Sequence, residues 1–90
     1  MPTIWGCLSR IEDRRRDDPW VEIAVIVSAR TTIRARALVG RQTLIARGIE
    51  RIDLSTLCAG ELVEVSYHRG RDGMMEAETI YVRPDRAAVA

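Results

Sequence analysis

Few residues in this chain could do chemistry, and their spacing limits what each could do. The single histidine, His68, shares strand parity with Ser66 and Glu64, which superficially spells a nucleophilic triad. Same-face neighbours on a strand stand roughly 6.6 to 7 Å apart, whereas a nucleophile and its base need about 2.6 to 3.2 Å. The trio therefore reads as a polar outer face. Glu76 and Glu78 match the acid/base spacing of an inverting glycosidase in distance alone, but so small a chain offers little cleft for a sugar. Asp17 and Asp18 would leave most of a calcium ion's oxygen coordination unfilled. Cys7 and Cys58 have no Cys or His nearby at metal spacing, and read as two ordinary buried thiols in a reducing compartment. No Gly-rich phosphate loop, Cys-x-x-Cys, His-Glu-x-x-His or acidic calcium loop occurs. The expectation is a protein without catalysis, cofactor or metal.

Charge supplies the remaining candidate. Fourteen basic residues face thirteen acidic ones, net +1, far from the balance of a strongly basic nucleic-acid binder. Every basic residue is Arg, the better side chain for bidentate phosphate or carboxylate contacts; coding bias is the simpler reason for that choice. The distribution is uneven. Residues 28–51 hold Arg30, Arg34, Arg36, Arg41, Arg47 and Arg51 against Glu50 alone, while acids outnumber bases from residue 52 onward.

The elements that must position these groups are strands, because alternation of period two dominates. In residues 3–11, Ile4, Gly6 and Leu8 take one face, and Trp5, Cys7, Ser9 and Ile11 the other. Residues 12–18 read as a solvated hairpin loop ending at Pro19. In residues 20–28, Val21, Ile23, Val25 and Val27 are assigned to the core; Trp20, Glu22, Ala24 and Ile26 form the outer face. Residues 31–39 alternate with Ile33, Ala35, Ala37 and Val39 inward. A helix drawn through residues 32–46 is the competing assignment, but Gly40 in its middle would cost about 1 kcal/mol. Gly40-Arg41 is read instead as a tight turn into a short run, 43–46. Asp53 can cap a one- or two-turn helix that Gly60 ends. Strands over 61–69 and 74–83 flank the Gly70-Arg71-Asp72-Gly73 turn. Ala77 and Ile80 can both face inward only if one residue near Glu78-Thr79 bulges out. Trp5 and Tyr67 are expected to serve the core, residues 1–84 to form one domain, and residues 85–90 a flexible tail.

A short helix between the third and fourth main strands of an antiparallel barrel of five to six strands is the OB-fold layout. The leucine turn at Leu54 and Leu57, then Gly60, Val63 and Val65, then Asp72-Gly73, then Ala77 and Ile80 resembles an uncharacterised family of small bacterial OB-type domains. The likeness covers residues 43–82 and carries fold signatures without chemistry. OB-folds bind on the face of strands two and three, so the candidate face comprises Trp20, Ile26, Arg30, Arg34, Arg36 and Arg41. The favoured reading is a protein partner or self-association through an apolar patch of Trp20, Ala24, Ile26 and Leu38. The alternative is weak single-stranded nucleic-acid binding. Arg34 and Arg36 would neutralise phosphates while Trp20 stacks a base for about 1 to 3 kcal/mol, with affinity falling as salt rises. No apolar run approaches the ~20 residues of a spanning helix, and the opening residues lack a basic start before a long apolar stretch. A cytoplasmic location, away from membranes, is expected.

Overall fold

The computed structural model describes residues 2–13, 19–70 and 72–83. The 85–90 tail, Asp17, Asp18 and most of the polar 12–18 loop lie outside them. Strand β1 (Thr3–Glu12) pairs antiparallel with β2 (Trp20–Ser28), Glu12 opposite Trp20 and Leu8 opposite Ile23. Arg10 lies opposite Glu22, so Ser9 is an extra residue on β1. That bulge reverses the alternation behind it. Ile11, which simple alternation puts on the face opposite Leu8, packs against the core with it, opposite Val21.

Strand β3 (Thr31–Arg47) is continuous over 17 residues, which settles residues 32–46 as strand. The turn expected at Gly40-Arg41 does not form. Gly40 is absent from the glycines with positive φ, and β3 stays beside β6 (Met75–Val82) on both sides of it. Val39 lies opposite Ala77 and Leu44 opposite Thr79, so residues 40–43 bulge out of the seam. Thr43 makes the bulge self-sufficient. Its Oγ1 accepts the Gly40 N–H at 2.9 Å and donates to the Ala77 carbonyl at 2.7 Å. The chain reverses later, at Gly48 (φ 65), into the two-residue strand β4 (Glu50–Arg51).

The expected short helix is a single 3-10 turn, Leu54–Thr56. Asp53 precedes it, but its side chain caps nothing; the Thr56 hydroxyl donates to the Asp53 carbonyl at 2.7 Å instead. Leu57 from this turn is buried among the barrel residues, and Gly60 leaves it at φ 97. Arg47 clamps the turn. Its guanidinium reaches Glu61 at 2.8 Å and the Thr56 carbonyl at 3.2 Å, while Glu61 accepts the Cys58 N–H at 2.8 Å.

Strand β5 (Leu62–Arg69) joins β6 through the expected turn, in which the Gly70 N–H reaches the Met74 carbonyl at 2.8 Å and Gly73 takes φ 80. Ser66 lies opposite Thr79 and Tyr67 opposite Ala77, which leaves Glu78 as the extra residue. Ala77 and Ile80 accordingly both face inward, as their spacing requires. β5 also pairs with β1, so the strands close a five-strand barrel in the order β1-β2-β3-β6-β5, with β4 appended. Four seams are antiparallel and the β3–β6 seam is parallel. This pairing, with its turn between β3 and β5, is compatible with the OB layout.

Leu8, Val21, Ile23, Val63, Val65, Ile80 and Val82 are fully buried, each a contribution of about 1.5 to 3 kcal/mol. No polar or charged residue among those described is buried. Gly6 is required by close approach. A Cβ there would meet Ile23 Cγ2 at 2.7 Å and the Ala24 carbonyl oxygen closer still. Val25 packs against the core, but Val27 and Ile33, expected inside, are exposed. They lie where β2 and β3 run past the ends of their outer neighbours.

Candidate functional site

The outer face of β2 and β3 is set by their register: Trp20 opposite Leu38, Glu22 opposite Arg36, Ala24 opposite Arg34, Ile26 opposite Thr32. Glu22 organises its middle. The carboxylate accepts the Ser9 hydroxyl at 2.9 Å and Arg36 Nε at 3.4 Å, with Arg34 Nε at 3.8 Å. The Ser9 hydrogen bond, then the contact and charge of Arg36 and the charge of Arg34, hold the Glu22 carboxyl below its ordinary pKa; desolvation works against them. Arg36 also lies over the Trp20 ring, 4.4 Å from its centroid, with Arg10 at 5.7 Å.

Trp20, Arg34 and Arg36 thus meet around one glutamate. Ile26 lies further along β2, and Arg30 sits in the β2–β3 turn, its backbone N–H on Ser28 Oγ at 3.4 Å. No acid among the described residues pairs with its guanidinium. Arg41 stands apart, on the 40–43 bulge beside β6. The patch of Trp20, Ala24, Ile26 and Leu38 is divided. Trp20 and Leu38 form one end, Ala24 and Ile26 the other, and the Glu22 cluster lies between.

Ala24 and Ile26 belong instead to a groove of about 350 Å³ lined with Trp5, Cys7, Leu62 and Arg83. Trp5, expected in the core, is 49% exposed, and Arg83 stacks on it at 4.5 Å. The signal was available, since Trp5 has the parity opposite to Leu8. Tyr67 is half-buried, and Cys7 likewise. Cys58, expected to be buried, is exposed beyond the 3-10 turn, because Leu57 takes the inward position.

Glu64, Ser66 and His68 do not engage one another. Ser66 Oγ lies 3.3 Å from Thr3 Oγ1. His68 is gripped from β6, Nε2 at 3.1 Å from Glu76 and Nδ1 at 2.9 Å from Glu78. The Glu76/Glu78 pair therefore holds an imidazole at the mouth of a groove of about 580 Å³ beside the 40–43 bulge. Among the described residues no group of three or more His, Cys, Asp or Glu could hold a metal ion, and no helix is long and apolar enough to cross a membrane.

Comparison with known protein families, curated proteins and solved structures finds no match. What is established is the barrel itself, mainly β, closed by five strands.

Proposed function

We infer that this chain is a non-enzymatic, cytoplasmic protein-interaction module of the OB type, working through a partner or a second copy. One observation carries the reading. Ile26 is 76% exposed beside the Trp5 groove, and Val27 and Ile33, at the same end of the β2–β3 ribbon, are 59% and 53% exposed. Exposed apolar side chains clustered at one end of a fold mark interaction sites, and a bare two-stranded ribbon is marginal in water without something packed on it. The parallel β3–β6 seam and the turn before β5 support the OB assignment, and a small bacterial OB-type family is the kinship this architecture suits.

A photo-crosslinking residue placed at position 26, in the host cell, tests the reading. A discrete protein adduct is expected, with none from position 55 on the 3-10 turn. Absence of any adduct at position 26 would refute it. Weak single-stranded nucleic-acid binding is the second reading, favoured by the exposed guanidinium groups of Arg34 and Arg36 on β3; a nuclease-sensitive adduct would select it.

A further inference from the structure

β2 and β3 outrun the barrel. β1 leaves β2 after Cys7 opposite Ala24, and its first residues pair with β5 alone. β6 meets β3 only from Leu38 onward. Residues 25–28 and 31–37 therefore form a ribbon whose outer edges carry no third strand among the described residues. The two edges differ. The β3 edge bears Arg34 and Arg36, the kind of side chain by which exposed strands resist pairing. The β2 edge, Val25-Ile26-Val27-Ser28, has neither charge nor proline, and its one irregularity is a bulge at Val27. An uncharged apolar edge is a template for an incoming strand, and its regular part, Val25-Ile26, borders the groove opened where β1 departs.

We propose that residues 25–28 accept an extended acidic peptide segment of a partner protein, added as a strand, with its alternate apolar side chains in the groove between Trp5 and Ile26. This rests on the protein-interaction reading and adds the mode and the partner's chemistry. Charge selects the occupant. Arg34, opposite Ala24, and Arg83 flank the groove, and Arg30 lies at the ribbon's tip. Arg30 meets no acid among the described residues, and Arg83 rests on an indole; Glu22 is already shared by Ser9, Arg36 and Arg34. Glu64, opposite Trp5, stands on the far rim. The surplus attracts carboxylates and opposes a second, equally basic ribbon laid alongside. Both tryptophan rings carry an arginine, which disfavours base stacking.

Amide-resolved NMR titration of the full chain tests the proposal. The probe is an acetylated eight-residue peptide of alternating valine and glutamate. Two copies are N-methylated at every second residue, one in each register, and a third has lysine for glutamate. Salt-sensitive shifts at residues 25–28 and at the Trp5 indole are expected. Methylation in one register should weaken binding at least tenfold, and Ile26→Lys should abolish it without disturbing the core amides. Three results would overturn strand addition: no shifts up to millimolar peptide, equal binding by both methylated copies, or equal binding by the lysine peptide. Concentration-dependent shifts at the same edge without peptide would give it to a second copy, and stronger shifts with oligothymidylate to nucleic acid. A position-26 protein adduct alongside a failed titration would leave the interaction reading standing and remove only strand addition.

Discussion

Gly6→Ala and Gly40→Ala together test the register argument from which the barrel is built. At Gly6 the added methyl would lie 2.7 Å from Ile23 Cγ2 and nearer still to the Ala24 carbonyl oxygen. Neither neighbour yields easily: Ile23 is fully buried, and the other atom is backbone in a paired strand. Overpacking of a tight core costs about 1 to 3 kcal/mol, and backbone contact places this site at about 3. For a domain of this size each 1 kcal/mol moves Tm by about 4 to 8 °C, so a fall of roughly 12 to 24 °C is expected. At Gly40 nothing lies within 4 Å of the new methyl, and φ is not in the left-handed region. Alanine there should be neutral, or stabilising by about 0.4 to 1 kcal/mol through the unfolded chain. Thermal and denaturant unfolding of both variants decides. A Gly6→Ala shift below about 3 °C would refute the close β1–β2 approach, on the same size scaling. A large loss from Gly40→Ala would restore the tight turn and refute the bulge.

Three further outcomes follow from particular contacts. Thr43→Val keeps the shape but removes the hydroxyl that serves both Gly40 N–H and the Ala77 carbonyl; it should cost about 1 to 2 kcal/mol, with faster hydrogen exchange at the Gly40 amide. Because the Glu22 carboxyl is held below its ordinary pKa, it contributes stability that is complete above the unfolded value and lost as pH falls through the folded one. The Tm gap between wild type and Glu22→Gln should therefore shrink on acidification from about pH 6 to pH 2; a constant gap would contradict the contact. Arg47→Ala should lose about 1 kcal/mol, since its bond to Glu61 is partly exposed. Calorimetry in low and high salt should show that loss diminished by salt.

Local alternation made much of the barrel legible before any coordinates. Val21 and Ile23, Val63 and Val65, and the Asp72-Gly73 turn declare themselves within a few residues of chain. The bulge at Glu78 was readable because Ala77 and Ile80 both had to reach the core. The bulges at Ser9 and at residues 40–43 were not, since each exists only relative to a partner strand far away in sequence. Ile11 and the course of β3 followed from those two. The candidate face was legible only in composition. Parity placed Arg34 and Arg36 beside Trp20 and Ile26, but that Glu22 gathers them, and that Arg36 and Arg83 cover the two indoles, depends on rotamers and on a β1 neighbour. Ile26 emerged as predicted, at the surface. Its companion Leu62 comes from β5, which only barrel closure brings alongside.

The seam between β3 and β6 also sets a timetable. β6 comes last in chain order among the described strands, yet it lies between β3 and β5 and completes the pairing of both. The β1–β2–β3 meander rests on neighbours in sequence and can begin to pair while the chain is still being synthesised, but long-range pairings are slow to be rewarded. Until β6 emerges, the flanks of β3 and β5 stand open and the cavity holding Ile23 and Val65 lacks Ile80 as its lid. A nascent chain stalled before Met75 would thus present three adhesive borders, counting the edge at residues 25–28, where the finished domain retains far less.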